Sequence, residues 1–458
     1  MDVQACQQKR CWGTTTVVHG PKAGLPNRLT RTSDVRKFFS RTMAISESIL
    51  ASNLDLDFYG DQRSNDFRAS PEVHSNDQKF LKLKRRPILS CVEGEVTLVD
   101  LFCGAGGISL GMEEAARSHR LRLLVRFAAD FESRAIEVYK ANFPEAHADQ
   151  VDLSTIFARD VEASEFTRSE TELAQRVGKL DVLVGGPPCQ GHSDLNNFSR
   201  RRDPKNDLYL VMARAAKVLN PTYVVVENVP GAKHDKGGAF AGTVEALMRQ
   251  GYRVSYEVVD MREIGVPQSR RRLVLIASKG SPVEVGAIVS RYRTAPRDLA
   301  WAIRDLETLE SDSLMDTASK PSRDNKARID YLFDNGLQDL PDAERPPCHR
   351  KGNHSYKSIY GRLKWDEPAQ TITSGFYSMC MGRYVHPSRR RTITAREAAR
   401  VQFFPDYFRF DAAKNRTALA QIIGNAVPPK LSFVLGHHLF GQIRMGNQFE
   451  NQLAEVSP

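Results

Sequence analysis

The chain has 458 residues, 41% of them hydrophobic and 26% charged, which excludes a wholly disordered or fibrous protein and suggests two or three globular units of about 100–200 residues. No run approaches the ~20 apolar residues that span a bilayer, and seven cysteines without paired CxxC spacing fit neither a disulfide framework nor a structural zinc site. A cytoplasmic protein with reduced thiols and no metal or membrane partner is expected, and the net charge of +10 with a pI near 9.2 favours a polyanionic partner.

Residues 1–95 lack a sustained helical or strand period and read as a partly disordered extension, with helical turns around residues 35–50. From Val96 the pattern changes. Short β-rich runs at 97–102, 123–129, 181–184, 222–226, 253–259 and 273–277 alternate with amphipathic segments at 107–118, 133–142 and 208–219. That alternation predicts an α/β fold with a doubly wound, mostly parallel, Rossmann-like sheet. Such sheets bind ligands at the carboxyl ends of their strands.

The first strand runs into Cys103-Gly-Ala-Gly-Gly107, a glycine turn opening a helix. Glycines there allow tight turning and close approach, and the free N–H groups of the helix start face anionic or carboxylate groups. The spacing is GxGG and matches a dinucleotide fingerprint only loosely. Asp130 ends the second strand, where a carboxylate can accept from both ribose hydroxyls and the adjacent Phe131 ring can stack on an adenine. Asp149 and Asp152 follow near the third strand; either could meet the adenine amino group or cap the next helix. An adenosine-containing ligand is expected.

Past the next strand stands Gly185-Gly-Pro-Pro-Cys189-Gln190. Two prolines fix φ and present the thiol of Cys189 at a defined place on the sheet edge, a frame that a buried packing cysteine does not need. Glu227, in Glu227-Asn-Val229, ends an apolar strand, where a carboxylate is costly to bury unless paired or protonated. In Gln268-Ser-Arg270-Arg-Arg272, alternation sends Gln268, Arg270 and Arg272 to one side and Arg271 to the other. Arginines converging on the strand ends can hold a carbonyl or a phosphate.

Residues 280–390 break the α/β rhythm before helix resumes at 394–403, and predict a smaller inserted domain. Between Arg345 and Arg400 twelve Lys/Arg face only Asp366, Glu367 and Glu397, interleaved with aromatics. A solvated basic face and a nucleic-acid surface both suit that pattern.

In order, these segments resemble the DNA (cytosine-5)-methyltransferase family. Asp100-Leu-Phe-Cys-Gly-Ala-Gly-Gly107 looks like its first motif, Pro187-Pro-Cys-Gln190 its fourth, Glu227-Asn-Val229 its sixth and Gln268-x-Arg270-x-Arg272 its eighth. The stretch Arg391-Thr-Ile-Thr394 through Gln402 and Pro405 resembles the ninth, and Gly424-Asn-Ala-Val-Pro428 the tenth. The resemblance implies a catalytic domain at 96–280, completed by 391–447, a target-recognition domain at 281–390 and a tail at 448–458. S-adenosyl-L-methionine would be the methyl donor, with Phe102, Gly104, Gly106, Asp130, Phe131, Asp149, Asn425 and Val427 lining its site.

The resemblance also implies that Cys189 attacks C6 of a cytosine flipped from duplex DNA, making C5 nucleophilic enough to accept the methyl group. Glu227 would act at N3, Arg272 at the O2 carbonyl, and Arg270 would help to position the loop. Gln190, Gln268, Thr371, Thr373, Gly375 and Arg383 are the expected DNA contacts. A short recognition sequence, a monomeric enzyme and a separate cognate restriction endonuclease are further expectations. A tRNA cytosine-5 methyltransferase and an inactive DNA-binding regulator of the same fold are the alternatives, and a nucleotide-dependent oxidoreductase would share only the glycine turn.

Overall fold

A computed structural model describes residues 72–188, 208–234, 237–350 and 358–456; the turns expected around residues 35–50 lie outside them. The six apolar runs form strands β1 (Gly94–Leu101), β2 (Leu121–Asp130), β4 (Val182–Gly185), β5 (Tyr223–Asn228), β6 (Arg253–Asp260) and β8 (Arg271–Ser278). They are joined by the short β3 (Ala148–Gln150), and one seven-stranded sheet runs β3-β2-β1-β4-β5-β8-β6, while β7 (Gln268–Ser269) pairs outside it with residues 369–370. Every neighbouring pair is parallel except those made by β8, which is antiparallel to both β5 and β6. The sheet is therefore mostly parallel and Rossmann-like, as the alternating pattern predicts.

Period-two side-chain alternation sends successive strand residues to two apolar layers. Leu98, Val184, Val225 and Ile276 face one layer, which includes Met112 of helix α2 (Gly107–Ser118). Val99, Leu183, Val224 and Leu275 face the other, which includes Met212 of helix α5 (Leu208–Leu219). Helices α2, α3 (Ser133–Asn142) and α5 have the bounds read from periodicity. Before the sheet, helix α1 (Asp77–Lys82) buries Phe80 and Leu81. Helices α4 (Arg168–Val177) and α6 (Ala239–Arg249) complete the second layer.

Between residues 281 and 390 lie α7 (Val285–Arg291), α8 (Leu299–Ile303) and α9 (Arg323–Asp334), with strands of two or three residues at 361–362, 369–370 and 383–385. Ile329, Leu332, Leu340, Ile359, Tyr360, Met379 and Val385 form a small core of their own. Leu299, Ile303, Leu363, Ile372 and Tyr384 instead join a cluster with α3, α10 (Ala395–Val401) and α11 (Arg416–Asn425). The helix expected at 394–403 is the shorter α10: Thr394 and Glu397 close a capping box at its start, and Phe403 adopts φ 71° just after its end.

The last helix is α12 (Pro429–Val456). The stretch Arg416–Gly446, spanning α11 and much of α12, is long and apolar enough to cross a membrane, its most apolar window having mean hydropathy 1.2, but 78% of that window is buried in the protein. That burial is the condition of a core helix packed on α2.

Candidate active site

Strands β1, β4 and β5 lie side by side and parallel, Leu101 opposite Gly185 and Gly185 opposite Val226. The turns leaving their carboxyl ends therefore open on one edge of the sheet. After β1 the backbone passes through positive φ at Phe102 (56°), Gly104 (52°) and Gly106 (92°). A side chain at Gly106 would put its Cβ 2.5 Å from the Phe143 ring, and one at Gly107 would come 2.5 Å from the Val427 carbonyl oxygen. The glycines here are required by close approach as well as by backbone angle.

Asp130, at the end of β2, braces this turn. Its Oδ2 accepts from the Gly104 N–H at 2.9 Å and its Oδ1 from the Glu132 N–H at 2.9 Å. Burial pushes the Asp130 carboxyl above its ordinary range against the pull of those N–H groups. The carboxylate keeps acceptor capacity beyond these bonds. Phe131 leaves its ring 73% exposed, an apolar surface that gains by being covered.

Asp152 caps the short helix Leu153–Ile156, accepting from Ser154 N–H at 3.0 Å and Ser154 Oγ at 2.7 Å. Asp149 is not a cap; its carboxylate is 45% exposed, 3.0 Å from His147 Nε2. The choice that the sequence leaves open between the two aspartates thus falls to helix capping for Asp152. Asn425 is exposed at the end of α11, and Val427 touches the glycine turn through its carbonyl.

At the far side of the same edge, Arg272 Nε lies 2.8 Å from Glu227 Oε1, with the two side chains 15% and 11% exposed. The antiparallel register explains the meeting. Glu227 pairs with Val274, and Arg272, two residues away on β8, projects to the same face as its diagonal neighbour. The carboxylate is thus buried as half of an ion pair. A Cβ on Gly186 would stand 3.5 Å from Glu227 Oε2 and 3.9 Å from Val427 Cγ2. The Asn228 amide donates to the Pro187 carbonyl at 2.9 Å, tying the end of β5 to the Pro187-Pro188 frame. Cys189 and Gln190, next in the chain, lie outside the described residues.

Gln268 and Arg270 are buried, at 0% and 2% exposure. The Gln268 amide donates to Val401 O at 3.0 Å and to Gln402 Oε1 at 2.7 Å, and accepts from Ile372 N–H at 3.1 Å. Both ends of the amide are therefore occupied inside the protein. Arg270 donates to the carbonyls of Ile372 at 2.9 Å and Ala426 at 3.1 Å. Arg271 points outward, so the expected alternation of the arginines holds.

Gln402, to which sequence reading assigns no role, is the hub of this network. Its Nε2 also donates to the carbonyls of Ile423 at 2.5 Å and Ala426 at 3.3 Å. Asn228 likewise stands in a motif without a role legible from sequence. In both cases the signal is a polar side chain flanking an apolar run, which counts only once its partners are known.

The loop Thr371–Gly375 is held to this network. Thr371 Oγ1 donates to Ser269 O at 2.7 Å, and Thr373 Oγ1 lies 2.9 Å from the Tyr384 hydroxyl. Gly375 is buried against Met381, whose Cβ would stand 2.6 Å from an added Cβ. Thr371 and Thr373 are half-buried, and Ser374 between Thr373 and Gly375 is exposed. Arg383 makes two bonds of 2.7 Å to the Asp339 carboxylate, so its guanidinium serves an internal pair.

The basic stretch at 345–400 follows the same pattern. Arg345, Lys364, Arg383, Arg390, Arg391, Arg396 and Arg400 all stand in ion pairs, most with acids from residues 305–342. Much of the local charge excess is therefore balanced by an acidic segment just before it.

The chain matches the family model described as C-5 cytosine-specific DNA methylase over residues 96–441. It is 43% identical to Type II methyltransferase M1.BsuMI of Bacillus subtilis, over 79% of this chain and 84% of that protein. It is 32% identical to Type II methyltransferase M1.HphI of Haemophilus parahaemolyticus, over 74% of this chain and 84% of that one. Among solved structures, the S. pombe Dnmt2 methyltransferase superposes with a TM-score of 0.54 at 18% identity, over 76% of this chain and 99% of that one, a likeness of fold.

Proposed function

This chain belongs to the C-5 cytosine-specific DNA methylase family and is a DNA (cytosine-5)-methyltransferase, and on that premise we propose how its residues divide the work. The observation that carries the proposal is the Glu227–Arg272 pair, 2.8 Å apart, beside the turn that leads to Cys189. One acid and one fixed cation at a strand edge suit a heterocycle that must be held at a ring nitrogen and at the adjacent carbonyl. Glu227 engages N3 of the target cytosine and Arg272 its O2, offsetting charge that builds on the ring. Cys189 adds to C6 as the thiolate, which makes C5 a carbon nucleophile; loss of the C5 proton and of the sulfur then restores the ring.

The other half of the edge fits S-adenosyl-L-methionine, which when bound supplies the methyl group from its sulfonium. Two features support the fit: a glycine turn with no room for a Cβ at Gly106 or Gly107, and the Phe131 ring left 73% exposed. Phe102, Gly104 and Gly106 shape the turn, Asp130 accepts from the ribose hydroxyls, Phe131 stacks on the adenine and Asp149 meets its amino group. Asn425 and Val427 close the methionine end. Arg270 and Gln268 act from within, holding the loop that carries Thr371, Thr373 and Gly375 at the DNA side. Base flipping out of the duplex costs a few kcal/mol, which contacts from that side offset.

We also propose a monomeric enzyme, a short recognition sequence and a separate cognate restriction endonuclease, the last two supported by the likeness to two bacterial type II methyltransferases. The test is transfer of tritiated methyl groups to duplex DNA and to tRNA, with bisulfite mapping of the product. Duplex DNA is the expected acceptor. Cys189→Ala is expected to abolish transfer while retaining cofactor binding, and normal turnover by that variant rejects the mechanism.

A further inference from the structure

Helix α1 lies outside residues 96–441, the stretch that the family model matches, yet its aspartate is buried in the body of the protein. Asp77 Oδ1 accepts from Lys430 Nζ at 2.8 Å and Oδ2 from Arg297 Nη1 at 2.5 Å. The three side chains are 9%, 1% and 12% exposed. Around this triad, Gln78 donates to Trp301 O at 2.7 Å, Phe80 stacks on Phe403 at 6.3 Å and Leu81 O accepts from Asp406 N–H at 2.9 Å. A segment of about one and a half helical turns thus joins α8, the end of α10 and the start of α12.

Lys430 is the second residue of α12, three after Val427. The first turn of α12 sits on α2 without slack: a Cβ on Gly111 would fall 2.0 Å from Pro429 O and 2.7 Å from Phe433 N. Ser432 Oγ lies 3.4 Å from Gly107 O and 3.1 Å from Pro429 O, so the first turn of α12 is in direct contact with the glycine turn. A lysine this buried is costly to keep charged without a counter-ion. Deprived of Asp77, the ammonium is left in the cavity it shares with Gly111, Glu114 and Phe433, and the first turn of α12 that carries it is expected to shift toward water.

We propose that Asp77 is a positioning residue for the cofactor pocket: by neutralising Lys430 it clamps the first turn of α12 on α2, and so sets the Asn425–Val427 turn against the glycine turn. The proposal rests on the reading of Asn425 and Val427 as one wall of that pocket. Asp77 acts on cofactor affinity and leaves the chemical step alone, because it touches neither the reacting base nor the donor.

The test is calorimetric titration of S-adenosylmethionine into the full-length chain, with amide hydrogen exchange of the cofactor-free protein and turnover at saturating cofactor. In Asp77→Asn the dissociation constant is expected to rise at least tenfold, kcat to stay within twofold and exchange over residues 425–433 to accelerate. In Asp77→Asn/Lys430→Met, where the more deeply buried of the two cations is gone and Arg297 keeps its bonds to the Gly265 and His74 carbonyls, affinity is expected to return to within threefold of the parent. Asp77→Glu keeps the charge one methylene displaced, folds if Asp77→Asn does not, and is expected to weaken binding a few-fold.

Parental affinity and parental exchange in either single variant overturn the proposal, as does a double variant no better than Asp77→Asn. Asn425→Ala separates the two readings. If it weakens binding while the Asp77 variants do not, the clamp alone is overturned; if it binds as the parent does, the pocket wall and the clamp fall together.

Discussion

Glu227 and Arg272 show how a costly residue is made tolerable. A carboxylate at the end of an apolar strand is stable there because the next strand is antiparallel and returns a guanidinium to it; removing one partner of such a pair strands the other charge. Asp100 is a different case. Ser109 Oγ donates to its Oδ2 at 2.6 Å, its Oδ1 is buried with no hydrogen-bond partner among the described residues, and burial raises the carboxyl to about 7. Between about pH 4 and about 7 the folded chain holds a proton there that the unfolded chain has released. Stability from this group is therefore present at low pH and is lost as pH rises toward 7. Asp100→Asn is expected to stabilise the protein relative to the parent at pH 8 more than at pH 5, by on the order of 2 kcal/mol in urea unfolding. An equal effect at both pH values contradicts the assignment.

At the scale of elements, the contact between α2 and α12 sets how closely the two ends of the catalytic region approach. It is built on small residues: Gly111 meets the backbone of Pro429 and Phe433, and Gly436 meets Met112. Gly111→Ala is expected to cost about 3 kcal/mol or more, above the usual overpacking range because the obstructing atoms are main chain. Gly446, in the same α12, has nothing within 4 Å of an added Cβ. Gly446→Ala is expected to stabilise by about 0.5–1 kcal/mol through helix propensity. Thermal unfolding of the two variants separates packing from propensity, and matching effects would remove the distinction.

Across the whole molecule, buried histidines set the response to acid. Burial lowers His437 to about 3, and His386 and His438 to about 4. His386 has Glu397 Oε1 3.5 Å away and accepts at Nδ1 from the N–H groups of Ser388 and Arg389. His437 is packed among His119, Tyr292 and Phe433. The unfolded chain protonates these rings near pH 6.5 and the folded chain does so only near 4 or below, so stability is complete above about 6.5 and falls as pH drops through that window. Asp100 opposes the trend by one proton. A net difference of about two protons gives a slope near 3 kcal/mol per pH unit around pH 5. Asp77, lowered to about 2 by Lys430 and Arg297 against burial, adds its loss only below about pH 4. A melting temperature that is flat from pH 6.5 to 4.5 would contradict this account.

The layered fold and the order of its motifs were legible along the chain, because period-two and helical spacing are local and because glycine turns, Pro187-Pro188 and terminal strand carboxylates mark the sheet edge directly. Bounds such as Gly107–Ser118 and Ser133–Asn142 could be read to the residue for that reason. What the tertiary structure alone decided was partnership. Gln268 as an internal strut, Arg383 as the mate of Asp339, Gln402 as a hub and Asp77 as the counter-ion of Lys430 all join residues 44 to 353 positions apart or meet through a third. A side chain's charge is written in the sequence; whether it faces solvent, a base or another charge is fixed by which distant strand or helix folds beside it.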